Sequence, residues 1–529
     1  MNRRLLGSMV ALVVVAQAGA CVITTEDGEG GSPPALTVAP APLDGLTCEA
    51  YDFTLSGAAG TPVWSIDPND SKLGAIDAQG HYTAPITVPE SAFDVVGTIG
   101  ASSGRARVTL HTANPKRVST AGIAAKSIET NAIASSGKRV YTASMLGADQ
   151  VQVNRSEDGG VTWTAPKKIN DTPAGIVLGC VSVAVDAGNP DVVYVTYQAT
   201  QNGGPYDKTS TLDDTHAGAT IALAVSEDKG ETWTNYVLES QNNEGFCASI
   251  VSGAADSVSV EIPTDDGVTE TGDSIHMYTY VDGARGKGFA TGVLDMNGYA
   301  ADGRFSPFVL APITYVSSNG GDDGAEFPTL FTGPGGKVCL SFWTSTMNTD
   351  YAYPLSVTCS GDGGKTFGAI SVVHDPALTA PDGHQYPRHQ RAAISDDGRM
   401  AIVWDEPAGG VYVSTSANGA AWSAPTQLNH LDLAGPGAPD AGHHPTVRWE
   451  GGVLWVAYQS ESLGGDDAIV VDKSCDGGTT WSGNQVVNAN ADGTVTDRNY
   501  PTLLLTDKTA AIASFVNTED SDLEIMTLE

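Results

Sequence analysis

Basic charge is scarce in this chain: 27 Lys and Arg stand against 62 Asp and Glu, a net charge of −35 over 529 residues. Nucleic-acid binding rests on phosphate neutralisation, so a nucleic-acid partner is not expected. The same balance argues against a polybasic patch on a membrane surface. Acidic charge at this level keeps a protein soluble and apart from its neighbours, and a monomer is expected. Cysteine is sparse as well, with seven in all and no C-x-x-C pair, so zinc held by cysteine is not expected. Long helical periodicity is missing, as are a P-loop, a dinucleotide fingerprint and an HExxH pair. His384 with His389, or His443 with His444, lack a third ligand at a recognisable spacing, so no metal site is expected there.

What is present begins with an export signal. Arg3 and Arg4 precede an apolar run from Leu5 to Ala16, too short to span a bilayer. The run leads to "AGAC", Ala18 to Cys21, which resembles a bacterial lipobox with Ala18 in the usual leucine place. Residues 1–20 then read as a signal peptide, Cys21 as the lipidated residue, and 21–34 as a flexible tether. An ordinary signal peptide cut at the same small residues is the alternative. Either way the mature chain is extracytoplasmic, anchored by lipid at a bacterial envelope or surface, or secreted. Any membrane contact is through the lipid alone. Of the six other cysteines, Cys180 with Cys247 and Cys339 with Cys359 are the expected pairs, the first from matching repeat positions and the second from neighbouring strands.

Residues 35–113 alternate in short segments with turn signals, which predicts a small β-sandwich. The stretch "VWSIDPNDSKLGAIDAQGHYTAP" (63–85) resembles bacterial immunoglobulin-like domains, with Trp64 in the core and Tyr82 in a strand. Such a unit reads as a spacer. A GxSxG match at Gly100 to Gly104 has no helix after it and is not a nucleophile elbow. "ANPKR" (113–117) marks the expected boundary.

From 118 to 529 the chain repeats. The pattern S/T-x-D-x-G-x-x-W/F occurs as "SEDGGVTW" (156–163), "SEDKGETW" (226–233), "SCDGGTTW" (474–481) and "SGDGGKTF" (360–367). "TSANGAAW" (415–422) is a degraded copy with Ala417 in the Asp place, and "VLDMNG" (293–298) is a vestige. A second repeat opens strands with Pro-Thr: "EFPTLF" (326–331), "HPTVRW" (444–449) and "YPTLLL" (500–505), with looser versions near Asn131, Cys180, Cys247 and Arg391. The expected fold is all-β, a β-propeller of four-stranded blades, seven favoured and six the alternative, closed by an early strand near 118–127.

The first pattern answers to turn chemistry. Asp accepts from backbone N–H groups in its own turn, Gly allows a positive φ, and Trp packs its ring between strands. Equivalent aspartates around a wheel share no pocket, so a structural role is expected for Asp158, Asp228 and Asp476.

These repeats make residues 118–529 resemble the Asp-box (BNR-repeat) proteins of the sialidase superfamily. The resemblance implies a carbohydrate-acting propeller, an exo-sialidase-like glycoside hydrolase if active, using a tyrosine nucleophile assisted by a glutamate, an aspartate acid/base and three arginines on a substrate carboxylate. The family's early Arg-Ile-Pro motif is absent here. Arg388, Arg448 and Arg498, read as occupying successive equivalent positions, are the expected carboxylate clamp, joined by Arg391, Tyr386 and His444. Tyr500 or Tyr386 with Glu326 would form the nucleophile pair, and Asp497 or Asp405 the acid/base. The plainer reading is that these residues fill polar blade junctions as Arg–Asp pairs. No cofactor is expected. A structural calcium at "NGGDDGAE" (319–326) is weighed against a solvated acidic loop. The alternative function is a non-catalytic propeller that binds glycan or protein, or an assembly scaffold.

Overall fold

The computed structural model describes residues 35–111, 115–118, 132–145, 150–170, 175–201, 219–239, 244–245, 249–254, 257–265, 274–281, 324–345, 354–361, 367–375, 387–406, 410–429, 442–450, 452–463, 466–483, 485–487, 498–507, 510–517 and 522–528. Two kinds of strand organise them. In Ser102–His111, buried and exposed residues alternate strictly, because one face of the strand is covered and the other wet. Met400–Asp405 is buried at every position, since its sheet is covered on both faces.

The alternating kind builds the N-terminal unit. Leu43–Leu46, Ser102–His111, Phe93–Ile99 and Val63–Asp67 form one sheet, with smaller sheets of three and two strands beside it. Its core gathers Phe53, Tyr82, Phe93, Val95 and Val108, with Trp64 packed against it half-buried. The Tyr82 hydroxyl donates to the Leu73 carbonyl at 2.6 Å, so its polar end is satisfied inside the core.

The doubly covered kind builds the β-propeller. Seven four-stranded antiparallel sheets occupy the described residues from Pro115 to Leu528. Their innermost strands are Ala132–Ser136, Gly175–Val185, Ser249–Ala254, Gly324–Gly333, Arg388–Ile394, Gly442–Glu450 and Arg498–Asp507. Each touches the next, and the last touches the first, which closes a ring. Apolar side chains from adjacent sheets mesh between them: Tyr141, Val153, Val183 and Val195 in one seam, Val403, Val413, Val447 and Val456 in another. The ring is closed within a sheet by Pro115–Val118, paired antiparallel with Asp522–Leu528. The closing strand begins at Pro115, within the "ANPKR" stretch read as a boundary, and reaches Val118, the first residue of the expected 118–127. Pairing Lys116 with Thr527 and Arg117 with Met526 covers the edge that the chain end would otherwise leave open.

The repeated turns join third and fourth strands, at the outer part of each sheet. After Ser156 ends its strand, the Asp158 carboxylate accepts from the N–H groups of Val161 and Thr162 at 3.1 and 2.8 Å and from Thr162 Oγ1 at 2.6 Å. Ser156 Oγ donates to Asp158 and accepts from the Gly160 N–H, both at 2.8 Å, while Trp163 Nε1 donates to the Gly160 carbonyl. Gly160 sits at φ +90°, the left-handed region that glycine enters at no steric cost. Turns at Asp228 and Asp476 repeat this network. Burial alone would raise these carboxyls; the hydrogen bonds outweigh it and hold all three below the ordinary range. In the degraded copy, Ser416 rather than Thr415 takes the serine place, and Asn418 Oδ1 caps the Ala420 N–H where the aspartate would act. The "VLDMNG" vestige and the aspartate of "SGDGGKTF" lie outside the described residues.

Two disulfides are described. Cys339 and Cys359 face each other across neighbouring strands, as their sequence placement suggested. Cys48 of the N-terminal unit is bonded to Cys475 inside the turn "SCDGGTTW", a link the sequence reading did not anticipate. Beside it, Lys473 Nζ donates to the Thr47 carbonyl at 3.2 Å and lies 5.4 Å from the Trp455 ring centre. The Cys180–Cys247 pair lies outside the described side chains.

Candidate functional site

Six innermost strands carry the same irregularity. Between Arg388 and Arg391 the partner strand advances two residues while this one advances three, the same slip occurs at 443–446, 326–329 and 499–502, and the innermost strands Gly175–Val185 and Ser249–Ala254 slip likewise at 179–182 and 251–254. Each is a β-bulge, which frees one residue from the ladder and re-aims its neighbours. The Pro-Thr repeat is explained by it: Pro445, Pro328 and Pro501 fall within the slip, where a missing N–H forfeits no ladder bond. In the strand Arg388–Ile394 the corresponding residues are Gln390 and Arg391.

This common register corrects the arginine clamp. Arg388 is the first residue of its bulge, Arg448 lies two residues beyond the end of its own, and Arg498 precedes its bulge by one. The three are not at equivalent positions, because a bulge at a fixed place and not the sequence spacing sets the register. Of Arg388, Glu326, Arg498 and Tyr500, only the backbone lies within the described residues. Tyr386, Asp497 and most of the acidic 319–326 loop lie outside them.

What the bulges bring together is different. His389 and His444 occupy matching places in adjacent bulges, both with left-handed backbone (φ +49° and +50°), and their ring centres are 3.9 Å apart. Asp405, wholly buried at the end of Met400–Asp405, faces them. Its Oδ1 accepts from His389 Nδ1 at 2.7 Å, and its Oδ2 meets His443 Nδ1 at 3.4 Å. Asp405, expected as an acid/base, is thus buried with its oxygens facing imidazoles. The next residue, Glu406, is turned away, with its Oε1 taken by Trp404 Nε1 at 3.2 Å and His374 Nε2 at 3.4 Å.

Two guanidiniums complete the group. Arg391 and Arg448 each donate to the carbonyl of the residue before them, at 2.9 and 3.0 Å, and neither forms an ion pair with a described carboxylate. Arg391 is exposed and Arg448 half-buried, each on an innermost strand of the ring. Burial lowers both guanidiniums, and Arg448, with Arg391 adding like-charge repulsion, is pushed down to about 10. Both remain cations at neutral pH.

The same crowding acts on His444. Burial first, then the neighbouring His389, His443 and Arg391, push it down to about 3 against the pull of Asp405. A histidine depressed in the fold binds its proton only on unfolding, so its contribution is intact above the ordinary value near 6.5 and is lost as pH falls toward 3. His444→Gln is expected to flatten the acid limb of thermal stability across that window, read by melting scans against pH; an unchanged limb would refute it.

Of the residues anticipated from sequence, Asp405, Arg391, Arg448 and His444 are thus assembled in one place. His389 had been weighed with His384, and His443 with His444, as metal pairs, and among the described residues no group of three or more ligands could hold a metal ion. The signal that marks them is the repeated histidine in "PRHQR" and "GHHPT", once the bulges align the two strands.

No protein-family model matches the chain, and no curated protein matches it. Solved structures do. A lectin from Burkholderia pseudomallei is similar at 13% identity over 75% of this chain and 96% of its own, with a TM-score of 0.46. An ulvan lyase, described as a new family of polysaccharide lyase, is similar at 9% identity over 78% and 95%, with a TM-score of 0.48. A Hadza microbial sialidase is similar at 12% identity over 85% and 75%, with a TM-score of 0.41. At such identities the likeness concerns the fold, and the closed ring of four-stranded sheets makes this chain a β-propeller protein.

Proposed function

We propose that this is an exported, sialidase-like propeller acting on carbohydrate, whose channel holds the acidic group of a sugar. One observation carries the reading: Arg391 and Arg448 keep their charge without a described carboxylate partner, inside a protein of net charge −35. Acidic side chains are abundant, yet these two guanidiniums repel each other with no described carboxylate between them, an arrangement that an anion would complete. A sugar carboxylate suits the planar fork of arginine. Export is supported by Arg3, Arg4, the following apolar run and Cys21, and a spacer role for 35–113 by its immunoglobulin-like sequence. The glycan is then met outside the cytoplasm, with the lipid at Cys21 as the only membrane contact.

The test is calorimetric titration of the full chain with sialic and uronic acid oligosaccharides. Arg448→Ala and Arg391→Ala are each expected to weaken binding about 10–100-fold, the worth of a charge-assisted hydrogen bond. Neutral analogues of the same sugars should not bind. Affinities indifferent to both substitutions, or no acidic sugar bound at all, would sink the reading.

A further inference from the structure

The geometry points to His389 as the proton-transferring group of this site, oriented by Asp405, and to β-elimination from a uronate glycan as its reaction. This rests on the acidic-sugar reading above. His389 Nδ1 is committed to the buried Asp405 carboxylate, which accepts only from N–H, so the neutral ring presents Nε2 as a lone pair. Nε2 has no protein partner among the described residues, and the side chain is 41% exposed. The ring is held there at a cost. His389 and His444 are two of only four non-glycine residues with positive φ among the described residues, and such strain persists where surrounding structure enforces it.

The surroundings select the reaction. Glycoside hydrolysis by two carboxyl groups requires both to reach the sugar. Among the described side chains here, Asp405 is wholly buried behind two histidines and Glu406 is engaged by Trp404 and His374. What is exposed instead is the His389 imidazole and the Arg391 guanidinium, with Arg448 half-buried beside Arg391. Removing a proton from the carbon that bears a carboxylate needs this combination, since pairing the carboxylate with Arg391 and Arg448 stabilises the charge that develops on it. His389 Nε2 takes that proton. The C–H electron pair becomes a double bond to the adjacent ring carbon, and the bond from that carbon to the glycosidic oxygen breaks, its pair leaving on the oxygen. The imidazolium returns the proton to this oxygen. No water is consumed and nothing is oxidised; the products are a sugar with a free hydroxyl and an unsaturated uronate.

The full chain is incubated with polygalacturonate, alginate and a glucuronate-containing glycan. Ultraviolet absorbance of the conjugated double bond, new reducing ends and calorimetric binding are followed together. Absorbance rising in step with reducing ends is the expected result. His389→Ala and the bulkier His389→Gln, each checked for an unchanged melting profile, should lose about 10²–10⁴ in rate with binding kept. Asp405→Asn should lower the rate less and displace its pH profile, as a positioning residue does. Reducing ends without absorbance would show hydrolysis and overturn the elimination. Binding without either product would overturn it while leaving the acidic-sugar site standing. Absence of binding would overturn both.

Discussion

Asp405→Ala is expected to destabilise the propeller by about 3–5 kcal/mol, the cost of removing the buried partner of charged or hydrogen-bonding groups. Asp405 is wholly buried, and its carboxylate faces His389 and His443 and acts on His444. Without it, His389 Nδ1 loses its 2.7 Å acceptor and His444 loses the carboxylate that opposes its neighbours. Asp405→Asn keeps an oxygen acceptor and is expected to lose less. Urea unfolding followed by tryptophan fluorescence measures the loss. A loss under about 1 kcal/mol for the alanine variant, within the ordinary range of point substitutions, would show that the cluster is not held by this carboxylate.

Cys475→Ser is expected to separate two units that otherwise melt together. The Cys48–Cys475 bond closes a sequence separation of 427 residues, and in the chain-entropy description a loop of that order is worth roughly 6 kcal/mol. Among the described residues, the Lys473 bond to the Thr47 carbonyl also links the two units. Burial lowers the Lys473 ammonium to about 8, with Glu49 pulling the other way, so the contact weakens further in mild alkali. A single calorimetric transition should split in two, and small-angle scattering should report a larger radius of gyration. Cys339→Ser serves as the contrast. Its bond spans 20 residues within one sheet, so it should lower the propeller transition without splitting anything. One transition and an unchanged radius in Cys475→Ser would mean that the N-terminal unit is held by other contacts. An N-terminal unit stapled to the propeller is also a more rigid device than the simple spacer its sequence suggests.

What the amino-acid sequence determined by itself is local. The network around Asp158 runs from Ser156 to Trp163, each partner within a few residues, so its chemistry is written in eight consecutive letters. The Pro-Thr strand starts are legible for the same reason: a proline marks where the ladder is broken, whichever blade it belongs to. Continuous apolar runs such as "AIVW" in Met400–Asp405 announce a sheet covered on both faces. From these the all-β propeller follows.

The site was legible only in part, because nothing local assembles it. Asp405, Arg391, Arg448 and His444 were marked by residue type, yet the expected arginine clamp depended on counting positions from Pro-Thr. One extra residue in each bulge changes which side chains share a place. His389 meets Asp405 across 16 residues and His443 meets it across 38, distances bridged by strand pairing and the ring of innermost strands. The Cys48–Cys475 bond joins residues from two folding units and has no periodic signature at all. Turns are closed by neighbours in sequence, and sequence alone decides them. A channel is closed by neighbours in space, so the tertiary structure alone decided that two arginines, three histidines and one buried carboxylate would meet.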